Sequence, residues 1–120
     1  MFDIELNREP DITTLCLRGK LDGLADTDHL VEAFALVPPS DHLVVDLSAV
    51  EALDAIGALT LRDILASRSV IAETIVVSPS DAVSMQLVLH DVDRTSPIVR
   101  SIEEARHILD RPWAGRRHTR

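Results

Sequence analysis

The sequence predicts one α/β domain in which about four helices pack against a mixed, mostly parallel β-sheet of four to five strands. Short apolar runs alternate with segments of helical periodicity, in the order β-β-α-β-α-β-α-β-α. This alternation is typical of sheets with parallel crossovers, whose ligand or partner sites lie at the carboxyl ends of the strands. With 120 residues, 46% of them hydrophobic, the chain can bury about two-thirds of its unfolded surface.

The chain begins with two predicted strands and a helix. Ile4 and Leu6 indicate an edge strand, 9–11 form a turn, and 13–19 form the second strand of a hairpin. Apolar residues at helical spacing follow, and the helix that they predict ends before Pro38.

The central strand and the segment after it are the most informative part of the sequence. Residues 43–47 form a nearly continuous apolar run, interrupted by Asp46, as expected of a strand that is covered on both faces. An acidic loop that contains Ser48 follows. It leads to Asp54, whose carboxylate can cap a helix that begins one or two residues later.

Two further strands and two helices are predicted after the motif. The β-branched run Thr74–Val77 indicates a strand, and Ser78 is expected to cap the helix that follows it. Residues 98–99 make a short last strand. A capping box that begins at Ser101 then starts the final helix.

Charge and N-terminal sequence restrict the partners and the compartment. The net charge of −8 argues against nucleic acid, because phosphate contacts need clustered Lys and Arg. A partner with a basic surface is the better complement. The first residues lack the basic and apolar segments of a signal peptide, and no apolar run is long enough to cross a bilayer. We therefore expect a cytoplasmic protein with no membrane insertion.

No residue pattern indicates an enzyme, a metal site or a cofactor. The five His residues are dispersed, and no nucleotide-binding or hydrolase motif occurs. Asp46 and Asp54 lack a third acid at suitable spacing, so loop organisation and helix capping are favoured over metal binding. The single Cys16 cannot form an internal disulfide and is expected to be a small buried apolar residue. We predict no catalytic residue, no metal and no cofactor.

The central segment resembles the signature of STAS domains, the fold of bacterial anti-sigma factor antagonists. That signature is an apolar strand ending in D-x-S, a short spacer, and D-S-S-G-L at the head of a helix. The matching segments here are 46–48 and 54–59. A G-x-L-D turn at Gly19 and an S-x-E-E-A helix start at Ser101 extend the resemblance over about residues 3–110.

The resemblance implies that the loop and the helix start bind an anti-sigma kinase, which phosphorylates a Ser at the helix head. In this chain that position is Ala55, which has no hydroxyl. Ser48 and Thr60 carry the nearest candidate hydroxyls, although each is also explained by a hydrogen bond to local backbone. The chain is then a constitutive antagonist, an antagonist regulated through another residue, or a relative without the phosphorylation switch.

A helical wheel gives the motif helix two different faces. The face expected to pack on the sheet comprises Gly57, Ala58, Leu61, Ile64 and Leu65. The opposite face carries Ile56, Leu59, Thr60, Asp63 and Ser67, and apolar residues among polar ones are typical of an interface centre. The predicted partner-binding surface comprises Asp46, Ser48, Asp54, Ala55, Ile56, Leu59, Thr60 and Asp63.

The leading hypothesis is a non-enzymatic regulator that binds an anti-sigma factor of the kinase type and thereby releases a sigma factor. One alternative is an accessory subunit of a lipid-transporting ABC system, where the same helix face docks on the ATPase subunit and needs no phosphorylation. Another is a scaffold that pairs with itself or with other STAS proteins. We expect the domain to span residues 1–111, with 112–120 forming a flexible basic tail.

Overall fold

The computed structural model describes residues 2–68 and 72–110, and the predicted basic tail at 112–120 lies outside them. The strands are β1 (Phe2–Glu9), β2 (Ile12–Leu21), β3 (His42–Leu53), β4 (Thr74–Val77) and β5 (Ile98–Val99). The helices are α1 (Leu24–Ala35), α2 (Ala55–Ala66), α3 (Asp81–Leu89), α4 (Val92–Thr95) and α5 (Ile102–Leu109). The predicted mixed α/β fold is confirmed. One short helix, α4, adds to the four that the sequence predicts.

The five described strands form one sheet in the order β1-β2-β3-β4-β5. β1 and β2 pair antiparallel, and every later pair is parallel. Each parallel strand is therefore added beside the previous one, through a connection that contains at least one helix. This topology places the carboxyl ends of β2 to β5 and the starts of α1, α2 and α3 at one end of the sheet.

The two faces of the sheet are covered by different helices. Val45 of β3 belongs to the larger core, which residues of α1 to α4 complete. Val44 belongs to a smaller core on the opposite face, completed by Ala105 and Leu109 of α5. Val44 and Val45 are 2% and 0% exposed, so the prediction of a central strand covered on both faces is confirmed.

Strand β3 extends well beyond the predicted end at residue 47. Its last partner on β4 is Val77, which pairs with Asp46, and the rest of β3 pairs with β2 alone. Residues 18–21 of β2 and 49–53 of β3 thus form a ribbon that extends beyond β4, and β1 pairs only with its first residues, 18 and 19. The predicted acidic loop is therefore wrong. The segment 48–53 has one β-branched residue, Val50, so strand propensity did not reveal the backbone pairing with β2.

The cap of α3 also differs from the predicted one. It is Ser80, whose Oγ accepts the backbone N–H of Val83 at 3.3 Å. The predicted cap, Ser78, is fully buried, with its Oγ 2.8 Å from that of Ser84. Its backbone N–H donates to the carbonyl of Val99 at 2.8 Å. Ser78 therefore continues the sheet pairing of β4, and the helix starts after it.

None of the helices within the described ranges is long and apolar enough to span a bilayer.

Candidate partner-binding site

Asp54 joins the starts of two helices. As the N-cap of α2, it accepts the backbone N–H of Gly57 on Oδ1 at 2.7 Å. Its Oδ2 accepts the N–H of Gly23, the residue before α1, at 3.3 Å. Both contacts place the carboxylate at the positive ends of helix dipoles. The predicted capping role is confirmed, and the same side chain also fixes α1 relative to α2.

Gly57 allows α2 to pack closely against the tip of the ribbon. A Cβ atom at this position would lie 2.9 Å from Cγ of Leu21 and 2.9 Å from Cδ1 of Leu53. It would also lie 3.1 Å from the carbonyl oxygen of Leu21. Separations this short are below normal carbon contact distances, so a side chain here would push the helix away from the ribbon.

Asp46 and Ser48 organise an irregularity in β3. Oδ1 of Asp46 accepts from the backbone N–H of Ser48 at 2.9 Å and from its Oγ at 2.5 Å. Between the pairs Cys16–Asp46 and Arg18–Ala49 the register shifts, with one extra residue on β3. The half-buried carboxylate satisfies a backbone N–H that the bulge leaves outside the ladder.

Cys16 lies beside this bulge and is only half-buried, so the expectation of a buried side chain is wrong. It alternates with Leu15 and Leu17, which point into the larger core, and therefore faces the other side of the sheet. Its Sγ lies 3.9 Å from Oδ2 of Asp46. Burial raises the pKa of the Cys16 thiol and the carboxylate of Asp46 raises it further, which keeps the thiol protonated.

The two faces of α2 are largely as the helical wheel predicts. Gly57, Ala58, Leu61 and Leu65 are buried, and Ile64 is partly buried against the larger core. On the outer face, Ile56 is 47% exposed and Asp63 is exposed, whereas Leu59 and Thr60 are half-buried.

Several outer-face side chains already have local partners. Oγ1 of Thr60 donates to the carbonyl of Ile56 at 2.7 Å, as a helical Thr commonly does. Oδ1 of Asp63 accepts from Nη2 of Arg62 at 3.1 Å. Ala55 is exposed and offers only a methyl group. Ile56 is therefore the most exposed large apolar side chain on this face.

The extended ribbon separates the predicted site residues into two groups. Asp46 and Ser48 lie at its base, whereas Asp54 and the residues of α2 lie at its tip. From Ser48 to Leu53 the strand is continuous, which corresponds to about 16 Å at the usual rise per residue. A partner that touches both groups has to cover the length of the ribbon.

Leu24, the first residue of α1, was missed by the sequence reasoning. It is 72% exposed and directly follows Gly23, to which Asp54 is bonded. Two exposed apolar residues, Leu24 and Ile56, therefore occupy the two helix starts that Asp54 joins. The sequence could have revealed Leu24, because it is an apolar residue at the start of α1 that lies outside the buried face of that helix.

No group of three or more His, Cys, Asp or Glu side chains in the described ranges is arranged to hold a metal ion.

The family model of the STAS domain matches residues 3–105. The chain belongs to the STAS domain family. The match includes the motif residues 46–59 and both helix starts joined by Asp54. No functionally curated protein matches the chain.

Solved structures similar to this STAS chain include anti-sigma factor antagonists. One from Mycobacterium paratuberculosis is 21% identical, with 89% of this chain and 92% of that chain covered and a TM-score of 0.70. A putative one from Thermotoga maritima is 23% identical, with coverages of 87% and 92% and a TM-score of 0.70. The antagonist SpoIIAA in its unphosphorylated form is 15% identical, with coverages of 86% and 92% and a TM-score of 0.62. The TM-scores show a shared fold, and at these identities the comparison shows the fold alone.

Proposed function

We propose that this STAS domain is an anti-sigma factor antagonist, which binds an anti-sigma factor of the kinase type in the cytoplasm and so releases a sigma factor. The observation that carries the proposal is the start of α2, which Asp54 fixes in place and where Ile56 is exposed. Solved structures that are similar to this chain are described as anti-sigma factor antagonists and support the same function. The role is one of binding and requires no catalysis, cofactor or metal.

The proposed interface is centred on Ile56. It also includes Asp46, Ser48, Asp54, Ala55, Leu59, Thr60 and Asp63. Desolvation of an exposed apolar side chain provides the favourable energy at the centre of such contacts, and the polar residues form the rim. The net charge of −8 favours a partner whose surface is basic.

Regulation through the helix head is excluded by Ala55, because there is no hydroxyl to phosphorylate. Of the two other candidates, Ser48 is exposed, whereas Thr60 is half-buried with its hydroxyl donated to Ile56. A phosphate on Ser48 would add about two negative charges beside Asp46 and would disrupt the hydrogen bonds of the bulge. We therefore propose a constitutive antagonist, with Ser48 the first alternative phosphosite to examine and Thr60 the second.

Ala55 also favours a second candidate function, the accessory subunit of a lipid-transporting ABC system. There the same surface would bind the ATPase subunit, and no phosphorylation is needed. A scaffold that pairs with a second copy or with another STAS protein would use this surface for its own assembly. The three functions differ in the partner, so identifying the partner distinguishes them.

The test is affinity capture from the native lysate with the wild-type chain, Ile56→Asp and Leu36→Asp, followed by mass spectrometry. Leu36 is 72% exposed at the C-terminal end of α1, so the control adds the same charge to an exposed apolar position away from the proposed surface. We expect an anti-sigma factor to be retained by wild type and Leu36→Asp. Ile56→Asp should bind it at least about tenfold more weakly, or about 1.4 kcal/mol.

Two outcomes would reject the proposal. Retention of a transporter ATPase instead of an anti-sigma factor would assign the chain to the ABC system. Equal retention of the anti-sigma factor by Ile56→Asp and wild type would show that the start of α2 is not the interface.

A further inference from the structure

A groove lies between the C-terminal halves of α1 and α2, at the opposite end of α2 from Ile56. Its volume is about 330 Å³. The apolar residues that line it are Val31, Phe34, Val37, Pro39 and Ile64. If each non-hydrogen atom takes the volume that a water molecule has in the liquid, about 30 Å³, the groove accommodates about eleven atoms of a small ligand.

Among the described residues that line the groove, Arg68 is the one that carries a charge. Its side chain folds back on the sheet, where Nε donates to Oγ1 of Thr74 at 3.0 Å and Nη2 donates to the carbonyl of Asp41. Both acceptors are neutral. Every other arginine within residues 2–68 and 72–110 forms an ion pair, and Arg68 forms none there. In the same part of the chain Nη1 has no hydrogen-bond partner, although it carries two N–H donors.

The surroundings of Arg68 penalise its charge. Burial lowers the pKa of the Arg68 guanidinium, and the carboxylate of Asp41 offsets only part of that effect. That carboxylate is bonded elsewhere, to Nε of Arg8 and to Oγ1 of Thr13, each at 2.9 Å. A half-buried cation of this kind gains from a carboxylate that approaches through the groove, because a charge-assisted hydrogen bond repays part of the desolvation cost.

We propose that this groove binds an aliphatic monocarboxylate of about eight carbons, with its chain on the apolar wall and its carboxylate on Nη1 of Arg68. The aliphatic chain of such a ligand matches the apolar wall of the groove, and its carboxylate matches the guanidinium of Arg68. A phosphate monoester fits less well, because its second charge would have to be desolvated beside apolar side chains, and the described lining of the groove holds no second cation. The site is separate from the surface around Ile56, so the outcome of its test does not depend on the proposed anti-sigma partner.

The first experiment is an NMR titration of the full chain with sodium octanoate, which has about ten non-hydrogen atoms. We expect a dissociation constant below about 1 mM, with the largest shifts at groove residues such as Val31 and Ile64. Octan-1-ol has the chain without the charge and should bind at least about tenfold more weakly. Acetate, the charge without the chain, should cause no saturable shifts over the same range. Octan-1-ol binding as tightly as octanoate, or saturable shifts located elsewhere, would overturn the proposal.

Variants then locate the ligand. Arg68→Gln keeps a donor for the carbonyl of Asp41 but removes the charge, and should weaken octanoate binding at least about tenfold. Ala35→Trp fills the groove from an exposed lining position and should abolish binding even if Arg68→Gln fails to fold. Leu36→Trp adds the same ring at an exposed neighbour that does not line the groove, and should bind octanoate like wild type. Undiminished binding to Ala35→Trp, or equal loss in Leu36→Trp, would refute the assignment.

Discussion

Replacing Asp54 by Ala should destabilise the domain by about 2 kcal/mol. Loss of an N-cap side chain costs about 1 kcal/mol, and here the lost bond is the 2.7 Å contact with Gly57. The second bond, to Gly23 at 3.3 Å, should contribute about 1 kcal/mol more, because it also has a charged acceptor but is longer and exposed. For a domain of this size the total corresponds to a fall in melting temperature of roughly 8 °C.

Urea unfolding followed by circular dichroism measures this loss, with two matched variants. Asp54→Asn keeps one oxygen to accept from Gly57 but places an NH2 donor opposite the N–H of Gly23, so it should cost about 1 kcal/mol. Ser101→Ala removes the cap of α5, where Oγ accepts the N–H of Glu104 at 3.1 Å, and should cost about 1 kcal/mol. If Asp54→Ala lowers the free energy of unfolding by no more than Ser101→Ala does, the bond from Asp54 to Gly23 does not stabilise the domain. Equal losses for Asp54→Ala and Asp54→Asn would mean that the charge and the bond to Gly23, and not the cap bond to Gly57, provide the stabilisation.

Three other outcomes follow from the described contacts. Leu61→Asp should unfold the domain, because an unpaired carboxylate would enter a fully buried site at a cost of several kcal/mol; a cooperative, wild-type-like transition would contradict this. The hydrogen bond from Arg8 lowers the pKa of Asp41, so its ionised form stabilises the fold above about pH 4 and that contribution disappears as the pH falls through the lowered pKa. Asp41→Asn should therefore be less stable than wild type at pH 7, and the difference should shrink in acid; a difference that does not change with pH would count against the ion pair. Ala55→Ser should be phosphorylated by a cognate anti-sigma kinase and ATP, whereas mass spectrometry of wild type should show no phosphate at residue 55; no labelling of Ala55→Ser would argue that the helix head does not reach the kinase.

The sequence predicted the elements whose signals are local. The apolar run through Val44 and Val45 marked the central strand, and the cap at Asp54 marked the start of α2, because burial pattern and capping chemistry depend on neighbouring residues. The ribbon was not predictable in this way. Its second strand gains hydrogen bonds from β2, about thirty residues earlier, and that pairing overrides the weak strand propensity of 48–53. The prediction that Ser78 caps a helix failed for the same kind of reason. Its N–H donates to the carbonyl of Val99 in β5, a partner that is distant in sequence.

The sequence named the residues of the candidate site apart from Leu24, but it did not predict how they are arranged. A loop from Asp46 to Asp54 would have gathered both acids beside the start of α2. The ribbon keeps them apart, because an extended backbone adds about 3.3 Å for each residue. The groove beside Arg68 was also missed, because it forms between helix ends that are distant in sequence. Arg68 differs from the other arginines only in lacking an ion pair in the described structure, and a sequence does not show ion pairs.

The contacts of the two motif acids explain how the proposed binding surface of this STAS domain can keep its geometry without a hydroxyl at position 55. Asp46 bonds to Ser48 within the bulge, and Asp54 bonds to Gly23 and Gly57 at the helix starts. Neither carboxylate is hydrogen-bonded to the side chain of Ala55, which is a methyl group and lies exposed. The geometry of the α2 start therefore depends on the acids and on Gly57, whereas phosphorylation would depend on residue 55 alone. Ala55 offers no hydroxyl through which negative charge could be added at the helix head, and Ile56 is exposed there, as the proposed constitutive antagonist requires.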